Sequence, residues 1–151
     1  MNKINKIALT KLRGFFNNPP QDIIVCTANT AGEPNVALMN SSRILENQDI
    51  EFEISETVSS PSITFRNIQA NKYITFMVVK SGKNSKEYQG IRIYAKVIQI
   101  HTTGEKLVKM QNLIKEKFGE EKANEIVATV VCQIKKIRPL IDRGQSWEHG
   151  I

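Results

Sequence analysis

Six hydroxyl side chains crowd the ten positions from Ser55 to Thr64 in the stretch SETVSSPSITFRN. They are Ser55, Thr57, Ser59, Ser60, Ser62 and Thr64, and they fall where a strand-like run meets a helix-like run. Such a stretch has two uses. One is local: a polar loop whose serine caps the helix that follows, with Ser60 at the N-cap and Pro61 in the first turn. The other is chemical. A helix N-terminus presents unpaired N–H groups and the positive end of a dipole, and nearby hydroxyls add donors for a phosphate. No glycine spacing of the phosphate-loop kind constrains the stretch, so the residues alone leave both uses open.

Few other side chains offer chemistry. His101 and His149 are the only histidines, and neither has a Cys, Asp or Glu at metal-ligand spacing. A zinc site needs three or four converging ligands, so no metal is expected. A Ser-His-Asp triad assembles from distant positions and stays open, but no nucleophile-elbow pattern supports one. Catalytic residues are therefore not assigned. Any redox chemistry would have to be carried by a cofactor.

At 151 residues the chain fits one domain, residues 1–151, and at 40% hydrophobic it can bury a core. Its formal charge of +6 is scattered, with the densest runs at Lys80–Lys86 and Lys135–Arg138. Neither run interleaves the aromatics of a single-strand nucleic-acid platform, so nucleic acid is not the expected partner. A diffuse basic surface serves an anionic small molecule equally well. Cys26 and Cys132 each lie in an apolar, β-branched run, as buried free thiols do, which fits a reducing compartment. The N-terminus lacks a continuous apolar core of the secretory kind, and no apolar run approaches the ~20 residues of a membrane span. A cytoplasmic location is the default expectation.

The elements that must position these residues follow from periodicity. Residues 5–16 read as a short amphipathic helix ending near Gly14, broken by the prolines of NNPPQD. Ile23–Ala28 is a buried strand, NTAGEPN a turn with Gly32 at positive φ, Val36–Leu45 a second strand and Ile50–Ile54 a third. These three read as a meander. The helix begun at Ser60–Pro61 carries Ile63, Arg66, Asn67 and Ala70 and stops near Asn71. Tyr73–Val79 and Ile91–Ile100 are strands around a basic, glycine-containing loop. Thr102 or Thr103 caps a helix to about Phe118, stopped by Gly119, and EEKANEIVA adds a turn or two. Thr129–Ile137 closes the list. Six strands with short turns and flanking helices imply an antiparallel, mainly β (α+β) small barrel.

The order of strand, AGEP turn, two strands, hydroxyl-rich loop, TFRNIQAN and YITF resembles the pyridoxamine 5'-phosphate oxidase-like, FMN-binding split-barrel family. Thr64, Asn67, Ile68, Asn71 and Ile74 match a K/T-x-x-N-(I/L)-x-x-N-x-x-V helix that leads into a strand, and YQGIRIYAKV resembles a later strand with a small residue at Ala95. The likeness covers about residues 20–137. It implies a six-stranded split β-barrel that forms a homodimer, with FMN at each end of the subunit interface. It assigns Leu38, Met39, Asn40, Ser41, Ser42 and Arg43 to the flavin ring and ribityl chain. It assigns Ser55, Glu56, Thr57, Ser62, Thr64 and Asn67 to the phosphate.

The chain departs from that family where many members carry lysine and it has Thr64, so positive charge must come from Arg43, Arg66 or a partner's Lys80–Lys86 loop. Glu56 must point away from a phosphate. The tail KKIRPLIDRGQSWEHGI lacks the basic substrate motif of vitamin-B6 oxidases, so pyridoxamine phosphate is not the expected substrate. Trp147 is either a lid on a neighbour's flavin or a tail residue packed on the barrel. Met39 is a ring contact or a core methionine, Lys80, Lys83 and Lys86 read as a solvated loop, and His101 has no role. The helix over Leu107–Phe118 covers a barrel end or the dimer. The resemblance implies a small flavin-dependent oxidoreductase with reduced nicotinamide as a plausible donor. A non-enzymatic flavin carrier and a basic nucleic-acid-binding barrel are the alternatives, and deazaflavin or haem stays open as occupant.

Overall fold

Strict alternation builds the sheet. In β1 (Asp22–Ala28), Ile23, Val25 and Thr27 are buried while the residues between them face outward. The same pattern buries Ile50, Phe52 and Ile54 of β4 (Asp49–Ser55) and Ile74, Phe76 and Val78 of β5 (Tyr73–Lys80). The computed structural model describes residues 3–18 and 21–151; Pro19 and Pro20, expected to break the first helix, lie outside the described residues. The remaining strands are β2 (Pro34–Leu38), β3 (Arg43–Ile44), β6 (Gln89–His101) and β7 (Ile126–Pro139). Helices are α1 (Lys6–Phe16), α2 (Ile63–Ala70), α3 (Glu105–Phe118) and α4 (Glu120–Asn124), with short 3₁₀ turns at Ser85–Glu87 and Trp147–Gly150.

The seven strands form one antiparallel sheet in the order β2-β1-β5-β6-β7-β4-β3. It curls but does not close, and β2 and β3 are its edges. The count is seven rather than the expected six because Val36–Leu45 is not one strand. Ser42 donates to the Met39 carbonyl through both its N–H (3.1 Å) and its Oγ (2.9 Å), and the turn splits the run. The three-strand meander is also overturned. β4 pairs with β7 over Asp49 to Ser55, not with β2, and only β3 hangs on its other side.

Helix ends differ from expectation by a few residues. α1 runs on to Phe16, because the Phe16 side chain is buried in the core and needs the last turn. Ser62 rather than Ser60 caps α2, its Oγ accepting from the Phe65 N–H at 3.1 Å. Gly104 precedes α3 without a side-chain cap, so neither Thr102 nor Thr103 serves. Gly119 does end α3, at φ +92°.

The core lies on the inner face. Phe76 sits at its centre, edge-on to Phe16 at 6.2 Å and to Phe52 at 5.8 Å. α1 contributes Leu12 and Phe16, and α2 contributes Ile68. α3 and α4 instead pack on the outer face of β7, where Leu107, Met110, Ile114, Ala123 and Ile126 form a satellite cluster.

Cys132 lies fully buried in β7, and its thiol is pushed up to about 12, first by burial and then by the Asp49 carboxylate. The unfolded chain loses this proton near pH 9 and the folded chain keeps it. The contribution is therefore complete below pH 9 and declines as pH rises towards 12. Urea unfolding should show Cys132→Val resisting a loss of about 2 kcal/mol that the parent protein suffers between pH 8 and pH 10.5.

Candidate functional site

The hydroxyl-rich stretch folds on itself before α2 begins. Thr57 and Ser60 form a two-residue bridge, with the Ser60 N–H donating to the Thr57 carbonyl (3.2 Å) and to its Oγ1 (3.0 Å). The Thr57 and Ser59 hydroxyls lie 3.3 Å apart. Ser55 ends β4, and the Glu56 N–H donates to the Glu125 carbonyl at the end of α4. The first turn of any helix leaves N–H groups without intrahelical partners. In α2 the Ser62 Oγ accepts the Phe65 N–H and the Ser62 carbonyl accepts the Arg66 N–H in the first intrahelical bond, which leaves the N–H groups of Ile63 and Thr64 without a hydrogen-bond partner among the described residues.

Thr64 and Asn67 turn inward. Thr64 is buried and accepts from the Asn35 amide of β2 at 3.4 Å; Asn67 is buried and donates to the Thr27 hydroxyl of β1 at 3.1 Å. These two bonds tie the α2 N-terminus to β1 and β2, so both side chains already have work inside the fold. Arg66 stays exposed on α2.

The second candidate group, Leu38 to Arg43, sits beyond the other end of β2. Leu38 is 65% exposed and Met39 packs against the core. The Asn40 Oδ1 accepts the Ile23 N–H at 2.8 Å, completing the ladder where β2 leaves β1. Ser41 is exposed and Ser42 buried. Arg43 pairs with Glu51 at 2.7 Å, four residues from Ser55 along β4, or about 13 Å at strand rise. The Arg43 guanidinium is thus committed elsewhere than at the α2 N-terminus, which leaves Arg66 as the cation beside it.

Asn40, Ser41 and Arg43 line two adjoining clefts. One, of about 500 Å³, runs between the end of α1 and the turn; the other, of about 340 Å³, runs between β4 and α3. Both fall within the size range of small-molecule sites. Glu53, Lys117 and Phe118 also line the second cleft and were not singled out from sequence. The signal was there in part. Glu53 faces outward in the IEFEI alternation, and α3 carries an apolar face that had to cover something.

The tail folds back over β6, β7 and α1, and Trp147 packs against this chain's own core. Asp142 anchors the tail between Arg138 and Arg92, and the Gly144 N–H, followed by Arg138, holds its carboxyl below the usual range. Gly90 makes room: a Cβ there would meet the Val78 carbonyl oxygen at 2.4 Å and Leu140 at 3.1 Å. His101 bonds Gln99 at the end of β6. Among the described residues no group of three His, Cys, Asp or Glu could hold a metal ion, and no helix is long and apolar enough to cross a membrane.

An open, antiparallel, mainly β sheet with these flanking helices is the split-barrel fold of the pyridoxamine 5'-phosphate oxidase-like proteins. The chain superposes on an FMN-binding protein from Syntrophomonas wolfei subsp. wolfei with a TM-score of 0.72 at 20% identity, over 88% of this chain and 86% of that one. It superposes on an F420 reductase at 0.61 and 13% identity, over 83% and 94%. For HutZ, the haem storage protein from Vibrio cholerae, the values are 0.61 and 15%, over 86% and 92%. No family model matches the sequence, and no curated protein sequence matches it.

Because the Asp142 carboxyl is held low, its pairing persists through neutral pH and is lost as pH falls through the depressed value. Trp147 emission should shift to the red on acidification below the ordinary carboxylate range. Asp142→Asn should show that shift already at neutral pH.

Proposed function

We propose that the chain is an FMN-binding flavoprotein acting as a small oxidoreductase. The observation that carries this reading is geometric. β2 joins a helix N-terminus, tied to it through Asn35–Thr64, to a half-enclosed cleft at the Met39–Arg43 turn. The two lie about 14 Å apart at strand rise, a span of the order of a mononucleotide-sized flavin. The residues fit such a ligand. The N–H groups of Ile63 and Thr64, the Ser62 hydroxyl and Arg66 supply the phosphate end. Leu38 and the turn Met39–Arg43 supply an apolar and hydrogen-bonding wall for the ring. Fold likeness to an FMN-binding protein and an F420 reductase supports the same choice.

A bound flavin supplies hydride or electron transfer, with reduced nicotinamide as the proposed donor. The chain's own part is to grip, orient and exclude water. No residue is assigned as general acid or base, and the substrate is not named.

A second copy of the chain completes the proposal. Cross-strand pairing puts Ile24, Cys26, Val36, Leu38, Thr75 and Met77 on one outer face of β1, β2 and β5, with Val36 64% exposed. α2 reaches β1 and β2 through Thr27 and Asn35 on the opposite face, which leaves Val36 and Leu38 exposed, and a homodimer would bury them. Light scattering should find a dimer that Leu38→Lys converts to monomer.

Haem is the second reading, favoured by the likeness to HutZ. The absorbance spectrum of the purified protein decides: flavin bands support the first reading, a Soret band the second, and a colourless protein that binds neither added FMN nor added haem removes both. If FMN binds, anaerobic mixing with reduced nicotinamide should bleach it; an unbleached flavin would indicate a carrier. Ser62→Ala combined with Thr64→Val should weaken FMN binding about tenfold in a fluorescence-quenching titration. Unchanged affinity would refute the phosphate assignment.

A further inference from the structure

Two buried oxygens in the sheet have no hydrogen-bond partner, and they are neighbours. The Glu53 Oε2 of β4 and the Thr129 Oγ1 of β7 are both unsatisfied, and the two residues stand directly opposite in the β4–β7 register. Opposed side chains on one face have Cβ atoms about 4.5–5.5 Å apart. Thr129 is 1% exposed. A buried polar oxygen without a partner is destabilising, more so when it is charged, so such a pair calls for a missing partner. Glu53 also lines the 340 Å³ cleft between β4 and α3. Rotation about the last torsion of a glutamate exchanges its two carboxylate oxygens at little cost, so either can meet a group in the cleft.

The other walls define what enters. Met110, Leu113 and Phe118 make one side apolar, and Phe118 is 64% exposed, more than a phenyl ring of a settled core would be. Two cations border the cleft. Arg43 is already held by Glu51 at 2.7 Å. Lys117 is exposed, and among the described residues it forms no ion pair. Nothing therefore neutralises Glu53. A carboxylate only accepts hydrogen bonds, so the group that completes Glu53 must donate, whereas the Thr129 hydroxyl can donate or accept. An ammonium donates three hydrogens and brings the opposite charge.

We propose that the cleft between β4 and α3 is a binding site for a small molecule with an apolar body and a protonated amine. The amine meets Glu53, and the body lies against Met110, Leu113 and Phe118. The site borders the turn assigned above to the flavin ring, but the argument uses no flavin and stands if that reading fails.

The test is a titration of the purified protein with phenethylamine and with phenethyl alcohol, followed by amide chemical shifts along α3 and β4. The amine should bind at least about tenfold tighter than the alcohol, the value of one charge-assisted hydrogen bond. Glu53→Gln should erase that preference. Lys117→Gln should tighten amine binding, because it removes a competing cation. The comparison of the two ligands on the parent protein needs no variant, so misfolding of Glu53→Gln cannot mask the result. Equal affinity for amine and alcohol overturns the proposal. A preference that survives Glu53→Gln overturns it too, as does an ordered water alone bridging the two oxygens while the amine leaves α3 unmoved.

Discussion

The long ladder between β6 and β7 is what the rest of the structure hangs on. β6 pairs with β7 from Ile91 opposite Pro139 to His101 opposite Thr129, and all other strands attach to one side or the other: β5, β1 and β2 beyond β6, and β4 and β3 beyond β7. The register shifts at Tyr94/Ala95 and Val97/Gln99, and each bulge bends the strand and sharpens its twist. A flat sheet of seven strands would leave Phe52 on β4 and Phe76 on β5 far apart. The bent one brings their rings to 5.8 Å, and α1 adds Phe16 to the same contact. The same curl leaves β2 and β3 as separate edges, and the candidate clefts form beside the turn that connects them.

Polar contacts then set the fine geometry. Asn67–Thr27 and Asn35–Thr64 are buried or partly buried bonds that span distant parts of the chain, and each contributes on the order of 1 kcal/mol while fixing α2 against β1 and β2. They explain how a threonine can stand where a lysine would bring charge. Thr64 is buried beneath β2, where an ammonium would go unpaired, and its hydroxyl serves as an acceptor inside the fold. Cation supply at that helix end then falls to exposed Arg66.

Much of the architecture was legible in the residues. The alternation in IEFEI and IRIYAKV assigned strands and faces correctly, because one buried side chain in two is a local property, whereas IIVCTA reads as a continuous buried run and yet alternates in the sheet with Cys26 exposed. What failed was non-local or finely local. VALMNSSRIL looks like one strand because its apolar residues mask a turn set by Ser42 and Asn40. Ser60–Pro61 satisfies the rules for a cap, yet Ser60 is taken by Thr57 and Ser62 caps instead. The partner of β4 was unreadable, since no periodicity says that residues 49–55 meet 126–133. The clefts escaped for the same reason: Glu53 and Lys117 are far apart in sequence and meet only through that pairing.

That pairing also orders events in time. β4 emerges from the ribosome well before β7, separated by roughly 80 residues, or about 4–16 s at ordinary rates of synthesis. During that interval IEFEI has only the two-residue β3 as a sheet neighbour and exposes Ile50, Phe52 and Ile54 along an open edge. Its acidic residues Glu51 and Glu53 alternate with those apolar ones and keep like strands from pairing edge to edge while β7 is still to come. The charges that shape the cleft of the finished protein are, on this account, guardians of the unfinished one.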